Sequence, residues 1–236
     1  MDSDSSEEQL TTMGVHILNR IDPLRKQPER GVDGGQGLSP MEPPEPYAPP
    51  SLDPVPAAEM HPFLRKLRDR HLPLMDELKA FEDAVLSVRD TGYTKESDGR
   101  LKRFFQYLDG EFTSRGRREE TTLLALLHER LIVQGEHSKG EIPATAVDLM
   151  EDEYAKAIQL AAVIVNFLGL VFRLPDQKSR LVTLDAALEE SKNLIELLRL
   201  LVFRKDNVLY SLAHRLISTA EFDEMQSRTA VARRSS

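Results

Sequence analysis

Four long stretches of this chain place large apolar residues every three or four positions, and no stretch alternates them residue by residue. That period belongs to helices with one buried face; strands would need apolar residues at every second position. The first stretch covers His61–Val88 and reads Leu64, Leu67, His71, Leu74, Leu78, Phe81, Val85. The second, Asp98–Val133, reads Leu101, Phe105, Leu108, Phe112, Arg115, Glu119, Thr122, Leu126. The third, Ala144–Arg173, reads Val147, Met150, Tyr154, Ile158, Ala161, Val165, Leu168, and the fourth, Asp176–Ser218, reads Leu194, Leu198, Leu201, Lys205, Val208, Leu212. Helix breakers lie between them: Asp90-Thr-Gly92, the segment Gly135–Pro143, and Pro175. Four amphipathic helices joined by short connections predict an all-α fold, an up-down-up-down four-helix bundle.

The polar interruptions of those seams carry the most information. His71 interrupts the first, Arg115 and Glu119 the second, Tyr154 the third and Lys205 the fourth. A polar group on a bundle seam is unfavourable unless it meets another. His71 and Glu119 lie at similar distances from the first turn. At roughly 1.5 Å rise per residue they reach about the same height. Tyr154 and Lys205 match more loosely across the last turn. The expectation is one polar layer in an apolar core, in which Lys205 and Arg115 bring positive charge to Glu119. Glu120 takes that place if the helix is rotated.

Outside the helices the chain changes character. Ten of its 14 prolines fall between Pro23 and Pro56, together with Gly31, Gly34, Gly35 and Gly37. Such a composition does not bury enough apolar surface to offset ordering entropy, so residues 1–57 are expected to form a disordered acidic tail. A short helix near Gln9–Ile21 is the other reading of its start. Residues 58–225 form the expected domain and residues 226–236 a flexible end. The tail holds ten acids and four bases, and the remainder is nearly neutral. A near-neutral domain without a basic stripe argues against nucleic-acid binding. There is no cysteine, which removes disulfide, thiolate and Cys–zinc chemistry. The opening residues are acidic and polar, unlike a secretory signal, and the apolar run Leu160–Leu174 is interrupted by Asn166 and Arg173. A cytoplasmic protein without membrane contact is the expectation. No phosphate-binding glycine loop or nucleophile motif is present. His61, His128, His137 and His214 lie off the seams and read as surface residues.

Four segments carry a resemblance: RDRHLPLMDELKAFE, beginning at Arg68; FFQYLDGEF with REETTLLALLHERL, beginning at Phe104 and Arg118; VDLMEDEYAKAIQL, beginning at Val147; and LIELLRLLVFRKDNVLYSLAHRLIS, beginning at Leu194. Over about residues 61–225 the chain resembles the hemerythrin-like (HHE cation-binding) family. That resemblance implies a four-helix bundle built around a di-iron site. Its ligands would be a His on the first helix, His-x-x-x-Glu on the second, His on the third and His-x-x-x-Glu on the fourth. On this placement His71 and Glu119 are kept. Arg115, Tyr154 and Leu201 stand where His is expected, and Lys205 stands where Glu is expected. A degenerate member with no metal, no cofactor and no enzymatic activity follows. Its role would be structural, regulatory or protein-binding, with the N-terminal tail as the interaction segment. The alternative is an altered iron site using His71, Glu119 and Tyr154, for oxygen, nitric oxide, peroxide or iron handling.

Overall fold

The computed structural model describes residues 53–112, 114–139 and 142–234, with side chains described outside 111–119 and 229–234. The described residues form helices and their connections, and none is in a strand. In chain order the helices are α1 (Pro62–Asp69), α2 (His71–Thr91), α3 (Lys95–Phe112), α4 (Ser114–Gln134), α5 (Ala146–Val171) and α6 (Gln177–Arg204). A π turn, Lys205–Leu209, extends α6 into α7 (Tyr210–Leu216), and α8 (Thr219–Arg234) follows.

The expected first helix is two helices, divided at Arg70. Pro73 is the physical reason. It has no N–H to give to the carbonyl of Asp69, and its ring collides with that carbonyl in a continuous helix. Pro73 is instead the third residue of α2, in the first turn, where the missing donor is tolerated. His71 therefore opens α2 beside the break. The expected second helix, Asp98–Val133, is also described as two, Lys95–Phe112 and Ser114–Gln134, at no expected breaker, whereas the ends near residues 92, 135 and 175 follow the expected ones. Gly92 and Gly135 take positive φ, 87° and 77°, at the ends of α2 and α4. Thr145 opens α5 with a capping box to Asp148, and Asp176, just after Pro175, caps α6 by accepting from the Ser179 N–H at 2.8 Å.

Helix α6 packs against α5 most extensively and also against α2, which packs on α3; α4 touches α5, α7 and α8. Phe81 of α2 stacks on Phe104 of α3 at 4.0 Å between ring centres, with Phe105 edge-on. Arg199 of α6 grips both oxygens of Glu82 on α2, at 3.1 and 2.5 Å. Two seams run differently from expectation. On α4 the buried line is Glu120, Leu123, Leu124, Leu127, Leu131, and Thr122 is exposed. On α5 the buried line above Tyr154 is Ala157, Ile164, Val171, seven residues apart. Ile158 and Val165, expected inside, are 46% and 49% exposed. Val165, Leu168 and Phe172 line an open cleft of about 550 Å³ against Leu101 and Phe105 of α3.

The helix α8 lies beyond the expected fourth helix and crosses the expected domain end at 225. It buries Phe222 and Met225. Its start is a second capping box: the Glu221 carboxylate accepts from the Ser218 N–H at 2.8 Å and from its hydroxyl at 2.7 Å. These bonds, with Arg130, hold the Glu221 carboxyl down to about 2. At the other end, packing begins earlier than residue 58. Val55 is buried, and its N–H donates to Ser211 Oγ at 3.0 Å. Arg215 donates to the Asp53 carbonyl at 2.7 Å. Residues 1–52, the rest of the expected tail, lie outside the described residues.

A chain shortened to begin at Asp53 should keep the thermal stability of the full chain's helical part. Beginning at Ala57 removes the Val55 side chain and leaves the Ser211 hydroxyl without its donor. That should cost about 2–3 kcal/mol in urea unfolding. Equal stability of the two chains would show that the Val55 anchor contributes nothing.

Candidate functional site

The π turn decides which side chains face inward at the end of α6. In an α-helix, residues five apart point about 140° away from one another. Here the Tyr210 N–H bonds the Lys205 carbonyl, an i to i+5 step, and both side chains come to the same face. Leu201, one turn earlier, is also buried.

Lys205 enters the core and meets Glu120 of α4. Its Nζ lies 2.8 Å from Glu120 Oε1 and 2.9 Å from Oε2, and the two side chains are 12% and 11% exposed. The Tyr210 hydroxyl donates to the same Oε1 at 3.1 Å. Nζ also lies 5.9 Å from the centre of the Tyr154 ring, a cation–π distance. Burial by itself pushes the Glu120 carboxyl up. The Lys205 ammonium, by charge and hydrogen bond, outweighs burial with help from His71 and the Tyr210 hydroxyl, and holds the carboxyl below its ordinary value. Burial and the neighbouring Glu120 raise the Tyr210 phenol well above its ordinary range.

A second polar pair is stacked on the first. His71 lies parallel to Tyr210, 5.9 Å between ring centres and 4° between planes. Its Nδ1 is 2.8 Å from Asp206 Oδ1, and Arg68 Nε is 3.6 Å from Asp206 Oδ2. Next to these, Arg204 pairs with Glu153. The other Glu153 oxygen is buried and has no hydrogen-bond partner. The layer thus runs Arg68–Asp206–His71–Tyr210–Glu120–Lys205–Tyr154 across α1, α2, α4, α5, the π turn and the start of α7.

Of the residues expected at this level, His71, Tyr154 and Lys205 are brought together. Leu201 sits against the core one turn away. The side chains of Arg115 and Glu119 lie outside the described residues. The carboxylate that meets Lys205 is Glu120, the alternative weighed for a rotated helix. Glu120 shares its buried stripe with Leu124, Leu127 and Leu131, while Leu123 and Leu126 offer Glu119 a competing one in the sequence. Asp206 and Tyr210 were missed because both fall off an α-helical seam drawn through Lys205, and only the π turn brings Tyr210 inward. The other histidines act locally. His61 caps α1 and stacks on Phe222, 4.9 Å between ring centres. His128 lies 3.0 Å from the Thr145 hydroxyl and 3.1 Å from Asp148, joining α4 to the start of α5. His137 meets the Ser138 carbonyl at 2.8 Å, and His214 is partly buried with an unpartnered Nδ1.

The described side chains do not fit a di-iron group. Where a carboxylate ligand is expected, an ammonium fills the space and is neutralised by a protein carboxylate. Among the described residues no three His, Cys, Asp or Glu side chains converge as metal ligands. A cation placed between Glu120 and Tyr154 would stand against the charge of Lys205. Comparison with protein-family models, with curated proteins and with solved structures found no match.

Removing one member of the central pair, as in Glu120→Leu or Lys205→Met, should destabilise the fold by about 3–5 kcal/mol, since each leaves a buried charge alone. The double substitution should cost far less, so a double-mutant cycle should show strong coupling. Additive effects below about 1 kcal/mol would place the pair with weak surface bridges. The pH dependence follows in sign. The folded carboxyl lies below the ordinary 4.5, so its stabilisation is complete above that value and lost as pH falls through the folded one. Acid unfolding curves of the double variant should lack this component.

Proposed function

We propose that this chain is a hemerythrin-like four-helix bundle in which ion pairs occupy the level of the metal site, and that it works without metal or catalysis as a structural, regulatory or protein-binding module. The observation that carries this reading is the Lys205–Glu120 contact at 2.8 Å, inside the layer where the family resemblance calls for metal ligands. The arrangement is self-sufficient. Each charged group in the layer has a partner of opposite charge, and Tyr210 joins the two pairs by hydrogen bond and stacking. A group of this kind stabilises one register of the helices and leaves no open coordination position for a substrate.

The reading as an altered iron site is less well supported, because the Tyr154 ring faces the Lys205 cation, whose charge opposes a bound metal ion. A protein partner and a cytoplasmic location remain part of the proposal. By composition, the acidic, proline-rich residues before Asp53 are the segment proposed for such contact.

Protein produced in iron-supplemented medium and purified without chelator should carry well under one iron per chain by elemental analysis. It should also show no oxo-bridged di-iron or tyrosinate charge-transfer absorption. Near two irons per chain would overturn the reading, and one iron with a tyrosinate band would establish the altered site.

A further inference from the structure

Helix α5 turns an unusual face to solvent. From Ala157 to Phe172 it has no charged residue, and its most apolar 18-residue window has a mean hydropathy of 1.7 with only 22% buried. By length and composition alone the helix could cross a membrane. Its fully buried residues beyond Tyr154 are Ala157, Ile164 and Val171, with Leu160, Ala161 and Leu168 partly buried against the core. Val163, Val165, Leu170 and Phe172 remain 38–62% exposed.

The exposed face is ordered in sevens. One exposed line along it is Asp152, Gln159, Asn166 and, in the turn just past the end of α5, Arg173. One flank is Ala155, Ala162, Gly169, and the other is Lys156, Val163, Leu170. A polar line of this kind suits neither hydrocarbon nor a partner of uniform charge. It is complementary to itself when reversed: acid opposite base at the ends, amide opposite amide within. Neither Asp152 nor Arg173 has a side-chain partner among the described residues.

We propose that α5 is the contact between two copies of this chain, packed antiparallel about a two-fold axis passing between Ala162 and Val163. In that register Asp152 meets the second copy's Arg173, and Gln159 meets its Asn166, each contact occurring twice. Two-fold symmetry sets each flank against itself. Ala155 then faces Gly169 and Ala162 faces Ala162, which lets the helix axes approach closely, while Val163 packs on Val163 and Leu170 on the Lys156 stem. The strip from Asp152 to Arg173 is roughly 32 Å long and one helix wide. That is smaller than the ~800 Å² per partner of a standard stable interface. Reversible association with a Kd in the micromolar range follows. The inference does not depend on the state of the polar layer.

The test is sedimentation equilibrium of the full chain from about 1 to 200 µM, a range that spans such a Kd. The unaltered chain should pass from monomer to dimer. Asp152→Arg alone and Arg173→Asp alone should each weaken association by about tenfold or more, because each sets like charges opposite one another. An equimolar mixture of these two variants should associate again as a heterodimer, since every end contact is then acid against base. A monomer throughout the range would overturn the proposal. Loss of association in both variants without recovery on mixing would overturn it too. So would a monomer that co-sediments with vesicles of phosphatidylcholine and phosphatidylserine, which would assign the face to lipid.

Discussion

A lysine ammonium cannot be brought into a helical core alone. Desolvation of one such ion costs several kcal/mol, comparable to a large share of a domain's net stability. Lys205 therefore fixes where Glu120 must be, and with it the rotation and height of α4 against the end of α6. The same contact draws in Tyr210, which donates to Glu120, and through Tyr210 the His71–Asp206 pair at the start of α2. Helices that touch mainly through interchangeable leucines could slide by a turn at small cost. A lysine with one carboxylate to meet cannot.

Two local departures from a regular helix make this layer possible. Pro73 ends α1 and lets α2 begin at His71, so that the imidazole sits at the mouth of the core beside Arg68. The π turn at Lys205–Leu209 inserts the extra residue that aligns Lys205 with Tyr210. Without it, a phenol and an ammonium five residues apart would point to different neighbours. Rare π turns often mark functional positions in helices. Here the turn serves to gather polar groups around one carboxylate.

Much of this was legible in the sequence. The three-to-four spacing of apolar residues gave the helical class, and Gly92, Gly135 and Pro175 marked the helix ends. His71, Tyr154 and Lys205 stood out because they interrupt otherwise apolar seams, and they share one layer. What was not legible has physical causes. Leu123-Leu124 and Leu126-Leu127 offer two stripes one residue apart, so the inward face of α4 was underdetermined and Glu119 was favoured over Glu120. The upper part of α5 is apolar nearly all round, so its seam could be drawn through Ile158 and Val165, although the burial runs through Ala157 and Ile164. Asp206 and Tyr210 depend on a π turn that no spacing rule anticipates. The α8 capping box, Ser218 with Glu221, is readable in the sequence, although Ser218 also reads as the end of the fourth helix.

Glu120 is held ionised in the core because Lys205 is beside it. The most direct measurement is the carboxyl carbon-13 shift of Glu120 followed by NMR as pH is lowered, in the unaltered chain and in Lys205→Met. The ion-pair layer predicts a midpoint below the ordinary 4.5 in the unaltered chain. It also predicts a rise above that value when the ammonium is removed, since burial then acts unopposed by its main partner. An ordinary midpoint that does not move on Lys205→Met would contradict it.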